Sequence, residues 1–274
     1  MASDVLSEKT IKELTDYFHA LKQPFPNRLL EALDQDPRAG AQQLARTLRE
    51  RKKKAQKEAQ RLQRMLTFEK ELWQEGFRFI AGVDEAGMAP LAGPVVAAAV
   101  ILPIRYTLPG LDDSKKIPDE HKRQTLARQI KRDALAWAVG RAEVGEIDRI
   151  NIYQSGLLAM QRAVGGLSTQ PDFVLVDART IPRCAPPQRG IVHGDALSAS
   201  IAAASILAKT TRDDYMIEMD RIYAGYGFAS HKGYPTPEHL RVLKERGPLP
   251  IHRRTFAPVR ELLHLDPVQE DLFE

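Results

Sequence analysis

Apolar residues in the first quarter of the chain recur at helical spacing. Ile11, Leu14, Tyr17, Phe18 and Leu21 share one face of a helix that Pro24 and Pro26 close near Lys22, and Leu29, Leu30 and Leu33 predict a short second helix. Over 38–73, the narrow stripe Leu44, Leu48, Ala55, Ala59, Leu62, Leu66 and Trp73 predicts one long, charged helix stopped by Gly76. The pattern then changes. Segments 77–84 and 93–102 are runs rich in Val, Ile and Ala, which predict two buried strands joined by a turn bearing Gly and Pro, a hairpin. A helix over 119–132, a strand over 135–139, a helix over 148–164, an apolar strand over 173–176, a short strand over 190–192 and a long helix over 198–223 follow. Three early strands followed by alternating helices and strands predict an α/β fold, a mixed β-sheet flanked by helices, behind an all-helical N-terminal extension. The expected organisation is a helical basic extension over 1–75, a main domain over 76–262 and a polar C-terminal tail over 263–274.

Composition narrows the class. A chain of 274 residues with 43% hydrophobic content can bury one sizeable core beside a smaller domain. Cys184 is the only cysteine, so no intramolecular disulfide forms, and a reducing compartment, the cytoplasm, is expected. The N-terminus lacks the marks of a signal peptide. The longest apolar run, 94–104, is interrupted by Pro103 and too short to cross a bilayer, so the expectation is a soluble protein with no membrane partner. Net charge is only +4, yet Arg46, Arg49, Arg51, Lys52, Lys53, Lys54, Lys57, Arg61 and Arg64 crowd one segment against Glu50 and Glu58. That segment suits a polyanion, and a solvated helix face accounts for it equally well.

Four acidic residues sit where strands are predicted to end: Asp84 and Glu85 after the first, Asp177 after 173–176 and Asp195 after the short fifth. Neighbouring strand residues point to opposite faces, but Gly87 lets the chain turn so that both carboxylates of the first pair converge. Clustered carboxylates repel unless cations neutralise them, and hard oxygen ligands suit Mg²⁺ or Mn²⁺. Two such ions, about 4 Å apart, would activate a water and stabilise the leaving oxygen of a phosphodiester. Hydrolysis of nucleic acid is the expected use. A single acidic residue at a strand end also serves as a turn or helix cap, and spacing alone does not bring the first, fourth and fifth strands together.

The segment AGVDEAGMAPLAGPVVAAAVILP (81–103) resembles the opening motif of ribonuclease HII, the type 2 ribonuclease H. LDDSKK (111–116), NIYQSGLLAM (151–160), VLVDA (174–178), HGDALSASIAAASILAKTTRD (193–213), YGFASHKGYPTPEHL (226–240) and GPLPIHRRTFAPV (247–259) follow in that family's order. The resemblance implies a ribonuclease-H-like mixed sheet and an endoribonuclease using Mg²⁺ or Mn²⁺, two ions during catalysis. Its substrates would be RNA/DNA hybrids, whose RNA strand it hydrolyses, and ribonucleotide-containing duplex DNA, cut 5′ of the ribonucleotide to leave 3′-hydroxyl and 5′-phosphate ends. The family's metal-binding quartet falls on Asp84, Glu85, Asp177 and Asp195, with Asp84 and Asp177 central. By the same resemblance Lys115 and Lys116 grip backbone phosphate, and Tyr234 packs on the sugar where RNA passes into DNA. Lys209 and Arg212, one turn apart, either reach substrate or form ion pairs with Asp213 or Asp214.

The chain departs from the family at two places. The family has Gly-Arg-Gly after the first acidic pair, where backbone groups recognise the ribose 2′-hydroxyl; here Gly87, Met88 and Ala89 stand there. Met88 supplies no guanidinium, and Ala89 resists a positive φ that glycine accepts. Leu197 stands where a basic residue is frequent. The helical extension resembles one carried by a subset of bacterial members, and Asp195 separates the chain from type 3 enzymes, whose fourth acidic residue is usually Glu. Gln269, Asp271, Leu272 and Phe273 in QEDLF resemble the peptide by which bacterial replication and repair proteins dock on a sliding clamp, although Glu270 replaces the usual leucine and an ordinary polar terminus explains the same residues. A monomer is expected. Two rival readings keep the fold: a catalytically silent RNA/DNA-hybrid-binding protein, and a nuclease with relaxed sugar selectivity.

Overall fold

The structure, a computed structural model, describes residues 9–20 and 27–266. Leu21, Pro24, Pro26 and the peptide 269–273 lie outside the described residues. The chain divides into two compact units between Gln63 and Arg64. The first contains α1 (Ile11–Ala20), α2 (Asn27–Gln35) and nearly all of α3 (Ala39–Arg64). Thr10 and Glu13 cap α1 reciprocally, Thr10 N–H donating to Glu13 Oε2 at 2.8 Å and Glu13 N–H to Thr10 Oγ1 at 3.3 Å. Leu14, Phe18, Leu30, Leu33, Ala41, Ala45 and Leu48 form this unit's core.

The single helix expected over 38–73 is broken. It is two helices, α3 and α4 (Thr67–Gln74). Two tertiary and local contacts replace the helical ones at the break: the Met65 carbonyl accepts the amide of Ala199 at 2.9 Å, and the Arg64 carbonyl accepts the Thr67 hydroxyl at 2.6 Å. Ala55 and Ala59, expected on the apolar stripe, are exposed, so the middle of α3 has no buried face. The expected boundary lay at 75/76, whereas α4 lies within the second unit.

That unit holds β1 (Ile80–Ala86), β2 (Val95–Ile101), a 3₁₀ turn (Ser114–Lys116), α5 (Glu120–Asp133), β3 (Ala136–Ala142), α6 (Val144–Gly165), β4 (Phe173–Asp177), β5 (Gln188–Ile191), α7 (Gly194–Leu197), α8 (Ala199–Ile222), α9 (Phe228–His231), α10 (Pro237–Arg246) and α11 (Ala257–Leu262). The sheet order is β3-β2-β1-β4-β5, with β1–β2 and β2–β3 antiparallel and β1–β4 and β4–β5 parallel. This is the mixed sheet the element order predicts. β2 is buried on both faces, which is why its sequence, VVAAAVI, shows no alternation. Edge strand β3 alternates buried and exposed residues.

Helix α6 packs on β2 and β3, and α8 on β1 and β2. The approach of α8 is close: a Cβ at Gly82 would lie 2.0 Å from the Ser200 carbonyl carbon, so only glycine fits there. α6 starts earlier than its apolar pattern predicts, behind a capping box of Glu143 and Glu146, and kinks at Asn151, whose φ is 65°. Three short helices after α8 carry no strong periodicity and were not predicted.

Candidate metal centre

β1 and β4 run in parallel with Val83 opposite Val176, which sets the next residues, Asp84 within β1 and Asp177 at the end of β4, side by side. Asp195 comes from α7, where His193, with φ 57°, turns the chain as it leaves β5. Among the described residues, carboxylate oxygens of Asp84, Asp177 and Asp195 lie within 4.8 Å of one another. Asp84 and Asp195 are buried and Asp177 half-buried. Burial, and then the charges of Glu85 and Asp177, push the Asp84 carboxyl well above the usual carboxylate range. Compensation is modest. Glu85 N–H donates to Asp84 Oδ1 and Gly194 N–H to Asp177 Oδ1, each at 2.7 Å, and the mostly exposed Lys115 places Nζ 3.4 Å from Asp195 Oδ2. Three converging carboxylates with so few donors form a hard-oxygen ligand set that fits Mg²⁺ or Mn²⁺.

Glu85 stands apart from this trio. β1 stays regular through Ala86 with Glu85 opposite Ala97, so the Glu85 carboxylate is outside the 4.8 Å trio, although, beyond the effect of burial, its charge still raises Asp84 and that of Asp177 raises Glu85. Its Oε1 lies 3.3 Å from Arg179, whose guanidinium is 5.0 Å from the ring of Tyr153. Burial raises the Glu85 carboxyl, and the Arg179 charge opposes that rise.

The loop after β1 differs from expectation in its strain and in what holds it. Gly87 has φ +96°, and a Cβ there would lie 2.2 Å from Arg212 Nε. Ala89 has no positive φ, so the strain expected at that alanine is absent; the left-handed positions fall on Gly87 and Gly93. Two buried arginines hold the loop by its carbonyls. Arg212 donates to Ala92, Pro94 and Lys232 at 2.9, 3.1 and 3.0 Å. Arg253 donates to Gly87, Met88 and Gly93 at 2.5, 3.1 and 2.9 Å. Of the two roles open to Lys209 and Arg212, substrate contact or an ion pair with Asp213 or Asp214, Arg212 takes neither and binds backbone, whereas Lys209 pairs with Asp213 at 2.7 Å. A buried arginine that binds backbone leaves no spacing signature, so sequence reasoning missed this role.

The same holds for Glu69. It is buried in α4, and its Oε1 accepts from Ser198 Oγ at 2.7 Å and Ser200 N–H at 3.0 Å, fixing the start of α8 just beyond Asp195. Burial raises its carboxyl. Of the two lysines singled out in sequence, Lys115 reaches the acidic trio and Lys116 pairs with Asp112 at 3.6 Å. Lys115, Lys209, Lys232 and Tyr234 line one pocket of about 370 Å³. Tyr234 is 39% exposed, with Lys209 Nζ 5.8 Å from the centre of its ring.

Family comparison agrees with the mixed sheet and with the helical N-terminal extension. The family model described as Ribonuclease HII matches residues 81–259, and that described as Ribonuclease HII N-terminal domain matches residues 10–73. The chain belongs to the ribonuclease HII family. A ribonuclease HII of Myxococcus xanthus is 66% identical over 260 residues, covering 95% of this chain and 89% of that one. One from an Anaeromyxobacter species is 53% identical over 273 residues, covering 100% and 86%. Among solved structures, ribonuclease H2 from Pyrococcus horikoshii matches with a TM-score of 0.56 at 25% identity, over 68% of this chain and 97% of that one. Ribonuclease HII from Archaeoglobus fulgidus, in its complex with PCNA, shares the fold with a TM-score of 0.53 at 22% identity, over 67% and 96%. Ribonuclease HII enzymes are endoribonucleases, and this chain is a hydrolase of that family. Among the described residues no helix is long and apolar enough to cross a membrane.

Proposed function

We propose that this ribonuclease HII hydrolyses the RNA strand of RNA/DNA hybrids and cuts 5′ of ribonucleotides embedded in duplex DNA, leaving 3′-hydroxyl and 5′-phosphate ends. The observation that carries this reading is the convergence of Asp84 from β1, Asp177 from the end of the parallel β4 and Asp195 from α7 within 4.8 Å. Mg²⁺ or Mn²⁺ held by these carboxylates, two ions during catalysis, would supply charge neutralisation at the phosphodiester and acidity to the attacking water. Asp84 and Asp177 are the central ligands, Asp195 completes the trio, and Glu85, whose charge acts on Asp84 from beside Arg179, would join the set from the neighbouring position.

The chain's own groups do the rest. Lys115, beside Asp195 and largely in solvent, meets a backbone phosphate without reading sequence. Tyr234 offers its exposed ring to the sugar at the junction. Gly87, Met88 and Ala89 present backbone to the 2′-hydroxyl, and Arg253 ties the carbonyls of the first two inward. The peptide 269–273, outside the described residues, docks on a sliding clamp and raises the enzyme's local concentration at new DNA, a role supported by its QEDLF sequence.

The test is incubation with Mg²⁺ or Mn²⁺ and a duplex containing one ribonucleotide, beside an all-DNA control. Cleavage of the first alone, on the 5′ side of the ribonucleotide, is expected. Binding without cleavage would leave a hybrid-binding protein, and equal cutting of both duplexes a nuclease with relaxed sugar selectivity.

A further inference from the structure

Three histidines lie buried together behind Tyr234. His231, His239 and His252 are 7, 0 and 1% exposed and surround the fully buried ring of Phe228, their centroids 5.5, 5.5 and 5.7 Å from it. His231 and His239 stack at 4.2 Å. His231 ends α9, His239 lies in the first turn of α10, and His252 forms a β-bridge with Ala92 in the loop after β1. The imidazoles thus tie the segment carrying Tyr234 to the loop that follows Glu85.

Their backbone partners fix where each proton sits, because an amide N–H only donates and a carbonyl only accepts. Gly233 N–H donates to His231 Nδ1 at 3.1 Å, so the His231 proton is on Nε2, which donates to the Tyr226 carbonyl at 2.8 Å. Leu249 N–H donates to His252 Nδ1 at 2.9 Å, so His252 carries its proton on Nε2 and gives it to His239 Nε2 at 3.1 Å. His239 must then be protonated on Nδ1, from which it donates to the Tyr234 carbonyl at 2.9 Å. A second proton on any of the three rings would set two donors face to face. This arrangement leaves His239 and His252 with one proton each, in a single tautomer.

We propose that His252 and His239 are positioning residues: a neutral, proton-ordered chain from Leu249 N–H through both rings to the Tyr234 carbonyl that sets how Tyr234 faces the substrate. The proposal rests on the reading of Tyr234 as a substrate contact. Burial supports the neutral state, pushing both His239 and His252 down to about 4.

The test uses the full-length protein. His239→Asn keeps an N–H donor where Nδ1 stands, whereas His239→Gln carries its amide to the position of Nε2 and removes the donor to Tyr234. On the single-ribonucleotide duplex, loss of one buried hydrogen bond in His239→Gln is expected to raise KM about tenfold with kcat changed less than about twofold, while His239→Asn stays within about threefold of the natural protein in both. Long-range proton–nitrogen correlation spectra at neutral pH are expected to show His239 protonated on Nδ1 only, and His231 and His252 on Nε2 only. Equal KM values for the two variants, or a His239 that is cationic or protonated on Nε2, overturn the proposal. Tyr234→Ala separates it from the reading beneath it. An unchanged KM there removes Tyr234 from the substrate face and the proposal with it, whereas a KM raised in Tyr234→Ala but unmoved in His239→Gln removes the histidines alone.

Discussion

Asp84 sits in a place where the fold itself would be better off without its charge. Burial and two neighbouring carboxylates oppose its ionisation, so Asp84→Asn, which keeps the shape and removes the charge, is expected to raise the melting temperature in metal-free buffer. The same change should abolish the further rise that Mn²⁺ gives the natural protein, since a ligand stabilises only the state that binds it. Thermal melts with and without Mn²⁺ check both; an Asn variant that melts lower without metal would show that the aspartate is a structural partner instead. The histidines give a second prediction with a definite sign. His239 and His252 are pushed down to about 4 by burial, with His231 and each other the facing groups that can gain charge. Unfolded histidine takes its proton near pH ~6.5. The stability these two rings contribute is therefore full above that pH and lost as pH falls toward 4. Denaturant midpoints between pH 7 and 4.5 should decline, and the decline should shrink when His239 and His252 are replaced together by Asn and Gln; an identical slope would contradict the assignment.

At the scale of elements, the loop after β1 is held rigid by donors rather than by its own sequence. Arg253→Met leaves the carbonyls of Gly87, Met88 and Gly93 buried without their donor, at about 1–3 kcal/mol for each unsatisfied group. A loss of several kcal/mol in denaturant unfolding is expected, together with a weaker preference for ribose over deoxyribose at the junction; stability within about 0.5 kcal/mol of the natural protein, the range of an inconsequential surface change, would show that the loop holds itself. Helix α3 makes a different statement. Arg49 pairs with Asp34 and Arg61 with Glu58, but Lys53, Lys54 and Lys57 stand exposed on a stretch with no buried face. If this stretch meets duplex phosphates, replacing the three by Gln reduces the log–log salt slope of binding by up to about 3 units, near 0.9 for each contact. An unchanged slope would leave the charge as a solvated face. Any truncation should spare α4, whose Glu69 anchors the start of α8.

For the whole molecule, local pattern carried the element order and therefore the fold class. The strand runs at 93–102 and 173–176 and the helix over 198–223 lie within a few residues of β2, β4 and α8. Patterns failed where a distant partner decides the local structure. The helix break at Met65 depends on the amide of Ala199, and the straight course of β1 past Glu85 depends on its ladder with β2. The candidate site follows the same rule. Asp84, Asp177 and Asp195 could each be named from a strand end, but their meeting depends on the parallel register of β1 against β4, which no stretch of sequence displays. Arg212, Arg253 and the three histidines were silent because a buried polar side chain is defined by the groups it satisfies.

The most direct test of the metal-dependent carboxylate site is single-turnover cleavage, in Mn²⁺, of a duplex bearing one ribonucleotide, by the natural protein and by Asp177→Asn. Metal-assisted charge stabilisation is worth several kcal/mol, so the variant should cut at least about a hundredfold more slowly while binding the duplex as before. The natural protein should leave a 3′-hydroxyl on the 5′ side of the ribonucleotide. A variant that cuts within about tenfold of the natural rate, at the same position, would contradict the site.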